Sequence, residues 1–165
     1  MQEENYSDTK PYLTFTLDNE LFSVEVGKVR EVLDFTNITK IPRTPPFMRG
    51  VINLRGSVVP VVDLRLKFGM SKTENTISTC IIVMEITMDS ETLILGALAD
   101  SVQEVFELGP ESIQPPPHMG TKLKTGFLKG MGRRDDNFIM ILDIDKVFSS
   151  DELIMLDNTE KSLSE

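Results

Sequence analysis

One cysteine and one histidine are all that 165 residues provide as thiol and imidazole. The lone Cys80, set in the apolar run CIIVM, cannot form an intrachain disulfide, and free cysteine behaves more often as a small buried hydrophobe than as a reactive thiol. His118 stands beside a proline run, so a His-based triad would need distant partners that no local motif announces, and an exposed loop is its expected setting. One Cys and one His cannot furnish a soft-ligand cluster, and Asp143 with Asp145 reads as a strand-end turn rather than a pair of metal ligands. No cofactor is implied. Long apolar runs are missing too: none approaches the roughly 18 residues of a membrane span. The start, MQEENYSDTK, lacks the basic residues and apolar core of a signal peptide. A cytoplasmic chain with no direct membrane insertion is the expectation.

Positive charge is in the minority, with 17 Lys and Arg against 26 Asp and Glu, and the acidity gathers at the ends. Residues 1–10 carry −2 and residues 151–165 carry −4, leaving −3 of the net −9 for the middle. Within that middle, Lys40, Arg43, Arg49, Arg55, Arg65, Lys67 and Lys72 face only Asp63 in the same window. A solvated face and a surface for an acidic protein partner both fit this segment. A β-barrel nucleic-acid binder using residues 40–72 is the alternative function, disfavoured because aromatic platforms are few and the whole chain is acidic. Gly126, Gly130 and Gly132 with Lys129 lack the order of a phosphate-binding loop and precede no strong helical segment, so they read as backbone turns.

What the chain does have is alternation. Leu13, Phe15 and Leu17 share one face, and after the turn Asp18-Asn19-Glu20 the residues Phe22, Val24 and Val26 repeat the pattern, which predicts two antiparallel strands. Further strands are expected over residues 30–35, 51–54, 57–62, 79–87, 92–99, 103–107 and 138–143. In GVINLRGSVVPVVDLR, residues 50–65, two β-branched runs flank Arg55-Gly56, a pair able to turn the chain because glycine tolerates positive φ. Arg55 then sits at a hairpin tip. Pro60 removes a ladder donor, which places its strand at an edge, at a bulge, or with the missing N–H facing away from a neighbour. Ser149 with Glu152 makes a capping-box signature before a short helix at Leu153 to Leu156.

The order of elements also repeats. Val29-Arg30-Glu31-Val32 recurs as Val102-Gln103-Glu104-Val105 at an offset of 73, and Gly50 to Leu54 finds an echo in Gly126 to Gly130 at 76. Val61-Val62-Asp63-Leu64 then matches Ile141-Leu142-Asp143-Ile144 at 80. A β unit of about 75 residues, marginal alone but able to bury a face against its copy, predicts two small barrels side by side. Their cores are expected to form separately, with residues 50–64 in one barrel and residues 126–144 chiefly in the other. Val29, Val32 and Leu33 in the first copy, and Val102, Val105 and Phe106 in the second, are apolar; those not needed in a core would line a groove suited to an apolar helix face.

Several dispersed segments, VEVGKVREVLDF (24–35), ITKIPRTPPFMRG (38–50), VINLRGSVVPVVDLRLKFG (51–69), ADSVQEVFEL (99–108) and IMILDIDKVF (139–148), resemble the CheW family of chemotaxis coupling proteins. The resemblance covers residues 12–150 in the family's order. It implies an all-β fold of two five-stranded SH3-like β-barrel subdomains with short connecting helices and a short C-terminal helix. Residues 1–10 would be a flexible tail, residues 11–150 the domain, and residues 151–165 a short helix and acidic tail. It further implies a non-enzymatic adaptor whose partners are the chemoreceptor signalling tip and a CheA-type histidine kinase, with no nucleic acid. Val29, Glu31, Gly50 and Arg55 match family positions tied to coupling, and Val32 and Val102 join them as apolar groove residues. For Val29 core packing, and for Gly50 a purely backbone requirement, remain the competing readings. Glu31 and Arg55 are opposite charges on elements expected to be neighbours, and a pair between them would orient the Arg fork.

Overall fold

The computed structural model describes residues 9–116 and 126–164; His118 and part of the 115–117 proline run lie outside them. Eleven strands form two sheets. In chain order they are β1 (Lys10–Leu17), β2 (Glu20–Glu25), β3 (Val29–Asp34), β4 (Met48–Leu54), β5 (Ser57–Asp63) and β6 (Cys80–Met88). β7 (Glu91–Ala99), β8 (Ser101–Leu108), β9 (Ile113–Gln114), β10 (Leu128–Arg134) and β11 (Asn137–Leu142) complete the set. One sheet runs β3-β6-β7-β5-β4 and the other β8-β1-β2-β11-β10-β9. This is the all-β, two-barrel architecture expected, with a sixth, two-residue strand added to the second sheet. Single helical turns α1 (Leu64–Lys67) and α2 (Ile144–Val147) follow β5 and β11. A longer helix, α3 (Ser150–Ser164), extends well beyond the expected Leu153 to Leu156 run.

The repeat is real in three dimensions and is interleaved. Strand for strand, β3, β6, β7, β5 and β4 correspond to β8, β1, β2, β11 and β10. Each sheet contains one parallel contact, β5 with β7 and β11 with β2, at the same place in the order. The N-terminal hairpin therefore belongs to the barrel built mostly from the second half of the chain. Bulges also correspond: the β4–β5 register shifts between Met48 and Gly50, and the β10–β11 register between Leu128 and Gly130. The counterpart of Gly50 is thus Gly130, not the Gly126 suggested by sequence offset. A Cβ on either glycine would strike the equivalent preceding segment, Thr39 and Ile38 in one case and Gln114 and Ile113 in the other.

The expectation of separate cores needs correction. Ile52, Val59, Val61, Ile81, Val83 and Leu98 fill one barrel, and Tyr12, Leu108 and Ile141 the other, but the largest cluster lies between the sheets. β6 shows why. Its alternate residues Ile81 and Val83 point into their own barrel, while Ile82, Met84 and Ile86 point at the other sheet, so the strand is apolar on both faces. Each barrel is too small to bury enough surface alone, and the shared interface supplies the rest. Aromatic pairs cross this interface in matched fashion: Phe68 with Phe127 at 4.7 Å and Phe47 with Phe148 at 5.6 Å between ring centroids. α3 caps it through buried Leu153 and Leu156. Ser149 and Glu152 form the reciprocal capping box, and Glu152 accepts from Lys67 Nζ at 2.8 Å.

Pro60 lies within β5, flanked by β4 and β7. Its partner Val51 directs both N–H and C=O to Thr39 on the far side of β4, so Val51 and Pro60 form a pair without ladder bonds. The missing N–H of Pro60 faces the β7 side, where pairing begins only at Val61.

Candidate partner-binding site

Arg55 and Gly56 have φ of 50° and 89°, the positive pair a tight two-residue hairpin requires, and Gly56 N–H donates to Asn53 Oδ1 at 2.8 Å. The turn holds Arg55 out, with 71% of its side chain exposed. Its guanidinium forks onto Glu31 of β3: Nη1 donates to Oε1 at 3.2 Å and Nη2 to Oε2. The hydrogen bond from Arg55 holds the Glu31 carboxyl below the ordinary carboxylate value, and the same bond raises Arg55. β3 and the β4–β5 turn are at opposite ends of the strand order. The ion pair, together with the Thr39–Val51 bridge, therefore lies where this sheet closes on itself.

A bulge in β3 sorts the other predicted residues. Val29 pairs with Met84 but Glu31 pairs with Val83, so one extra residue is accommodated between them. Val29 is thereby turned to the inter-barrel cluster, whereas Glu31 shares the face of Leu33. Val29 is half-buried against that cluster. Val32, opposite the buried Ile82, stands beyond the edge of the cluster and is 41% exposed. Its counterpart on β8, Val105, lies opposite Leu13 of β1 and is 55% exposed. The offset of 73 pairs these two valines in the sequence, although the alternation alone does not reveal that both remain uncovered.

Val102 is half-buried against the same cluster, opposite Phe15. It does not adjoin Val29: Val102 N–H reaches Cys80 at one end of β6, and Val29 pairs with Met84, four residues further on, about 13 Å at a strand's rise. Cys80 itself is half-buried rather than buried; burial, and then Asp34, push its thiol above the ordinary value, and Sγ donates to Ser78 O at 3.2 Å. Gly50 is buried with φ of 140°, and a Cβ there would lie 2.0 Å from Thr39 O. It acts through close backbone approach, holding the segment after β3 against β4. Phe138 and Ile77 are further exposed apolar side chains. Phe138 is legible in hindsight from its phase opposite Ile139 and Ile141, while nothing in the alternation marks the loop residue Ile77.

The basic segment is largely neutralised. Arg49 pairs with Asp63, Arg55 with Glu31, Arg65 with Asp100, and Lys67 with Glu152. Only Lys40, Arg43 and Lys72 of the seven lack an ion pair among the described residues. A continuous stripe free for phosphates is not present there.

Asp143 and Asp145 also part company: Asp143 stands at the N-cap position of α2 without a side-chain hydrogen bond to the helix, and Asp145 bonds to Lys28 and to the amide of Thr87. Among the described residues no cluster of three or more His, Cys, Asp or Glu is arranged to hold a metal, and no helix is long and apolar enough to cross a membrane.

A family model for the CheW-like domain matches residues 11–152. The chain belongs to the CheW family. It is 38% identical over 154 residues to the chemotaxis protein CheW of Klebsiella aerogenes, covering 92% of this chain and 89% of that one. The chemotaxis protein CheW of Rhizobium meliloti is 31% identical over 140 residues, 85% of this chain and 88% of its own length. The crystal structure of the scaffolding protein TtCheW from Thermoanaerobacter tengcongensis superposes with a TM-score of 0.76 at 36% identity, over 87% of this chain and 95% of that one.

Proposed function

We propose that this chain is a cytoplasmic, non-enzymatic adaptor that couples the signalling tip of chemoreceptors to a CheA-type histidine kinase, residues 11–150 forming the adaptor domain. The observation that carries the reading is the exposed Arg55–Glu31 fork at the closure point of a CheW-family barrel, with Val32 uncovered on the other face of the same strand. An exposed ion pair adds little to folding. Its bidentate geometry instead orients a guanidinium for a partner, and Val32 offers a separate apolar contact on the other face of the same strand. Relatives described as chemotaxis proteins, and a structural neighbour described as a scaffold, support it. The mechanism is conformational: receptor and kinase occupy different faces, and a receptor state that alters its contacts here shifts the kinase equilibrium by the difference in binding free energy. The nucleic-acid alternative draws no support from the paired basic segment.

Arg55→Ala is expected to leave the melting temperature nearly unchanged while weakening binding to a receptor-tip fragment or to the kinase's regulatory domain, both measured by titration calorimetry. A collapse of folding would show that Arg55 is structural. Because Val29 packs on the central cluster, a charge placed there tests folding as well as docking, and exposed Val32 is the cleaner probe. Val32→Asp should reduce receptor-tip affinity several-fold or more by desolvating an unpaired carboxylate, with circular dichroism unchanged. Full affinity in that variant would remove β3 from the docking surface.

A further inference from the structure

Among the described residues the strands cross from one sheet to the other at two places: from β2 to β3 through the 3-10 turn Val26–Lys28, and from β7 to β8 at Asp100. Each crossing is held by an ion pair to the short helix of a corresponding hairpin unit. Lys28 Nζ donates to Asp145 Oδ2 at 2.8 Å, and Asp145 Oδ1 accepts the backbone N–H of Thr87 at 2.9 Å. At the other crossing Arg65 Nη1 donates to Asp100 Oδ2 at 3.0 Å, and the same oxygen accepts the backbone N–H of Asp18 at 2.7 Å. Arg65 and Asp145 occupy the same second position of α1 and α2. Thr87 nears the end of β6, and Asp18 follows the corresponding β1. The two arrangements are equivalent with the charges exchanged. In each, one carboxylate links a crossing segment, a short helix and the end of a central hairpin strand, drawn from both barrels.

These links sit directly before the edge strands. Lys28 precedes Val29, and Asp100 stands two residues before Val102. We infer that Lys28–Asp145 and Arg65–Asp100 are positioning pairs that fix where β3 and β8 begin, and thereby place the partner-binding residues Val29, Glu31 and Val102; this rests on the adaptor reading for its functional half. Neither pair includes a residue of the Arg55 fork, so their effect on binding would be transmitted through the strand starts. Reversal of sign between the two crossings implies that the interaction, and not the identity of either residue, is what the fold requires. Arg65 is the more enclosed, its side chain 12% exposed against 31% for Lys28, and it also donates to Ser71. The Lys28–Asp145 pair is therefore the better one to perturb.

The test compares the parent with Asp145→Asn, Lys28→Asp, and the exchanged double variant Lys28→Asp with Asp145→Lys, with hydrogen exchange read amide by amide in the free protein. Asp145→Asn and Lys28→Asp should accelerate exchange at Val29, Arg30 and Glu31 by about five- to tenfold relative to amides of β7, and the double variant should recover most of the protection. Binding of a receptor-tip fragment should weaken in the single variants and recover in the double, whereas a merely structural defect would track melting temperature. Unchanged exchange at residues 29–31, or failure of the exchanged pair to restore protection, would overturn the inference. Faster exchange with unaltered receptor affinity would overturn its functional half. A parent chain that binds no receptor tip would instead refute the adaptor reading, leaving the exchange data to decide the role of the pairs in the fold.

Discussion

Gly50→Ala is expected to destabilise the protein by about 3–5 kcal/mol, more than any change at the exposed fork. Two costs combine. A φ of 140° is strained for any residue with a side chain, and the added Cβ would lie 2.0 Å from Thr39 O and 2.9 Å from Ile38 Cγ2. Relief requires the chain after β3 to move off β4, which breaks both Thr39–Val51 backbone bonds, at 2.8 and 2.9 Å. Gly56→Ala supplies the control. There φ is 89° but no atom lies within 4 Å of the added Cβ, so a loss of about 1 kcal/mol is expected from conformation alone. Urea denaturation of the two variants checks the difference. Similar losses would mean that close approach contributes nothing. A further consequence is that impaired coupling in a Gly50 variant would report displaced structure around Ile38 and Thr39, not loss of a direct contact.

The second large effect is expected at Asp63. This carboxylate is fully buried and accepts from Arg49 Nη1 at 3.1 Å, from Thr73 N at 3.0 Å and from Thr73 Oγ1 at 2.7 Å, with Leu66 N further off at 3.4 Å. Asp63→Ala would strand a largely buried guanidinium and the buried Thr73 donors together, costing about 3–5 kcal/mol. Arg49→Ala should cost less, because the carboxylate keeps its three other donors. Thr73 anchors the connection between α1 and β6, so Asp63→Ala should also open that segment to proteolysis at residues 69–79 before global unfolding. Equal costs for the two variants, or an unaltered cleavage pattern, would contradict the assignment of Asp63 as the anchor.

Local pattern made much of this legible in the sequence. Alternation located the hairpins, Arg55-Gly56 marked the turn, and the repeated VREV and VQEV segments announced two similar barrels. Glu31 and Arg55 do meet as expected. Features fixed by tertiary pairing were not legible. A one-residue bulge decides that Val29 faces the second barrel while Leu33 faces its own, and no period-two reading carries that information. The same difficulty misplaced the echo of Gly50, since an offset drifting along the chain cannot locate an insertion, whereas the β10–β11 register identifies Gly130. Shared burial between the barrels was hidden because an apolar strand such as β6 reads alike whether its second face meets a helix, a sheet or a partner. Three of the seven cations near Asp63, namely Arg55, Arg65 and Lys67, looked available for a partner because their acids are distant in sequence: Glu31, Asp100 and Glu152 arrive only on folding.

The most direct test of the adaptor account is reconstitution of a receptor signalling-tip fragment with a CheA-type kinase from the same organism, with and without this chain. Kinase recovered with the receptor, together with its autophosphorylation rate, should rise when the chain is added, and both should fall back with Arg55→Ala although that variant remains folded. Recovery and rate that are the same with and without the chain would contradict the account.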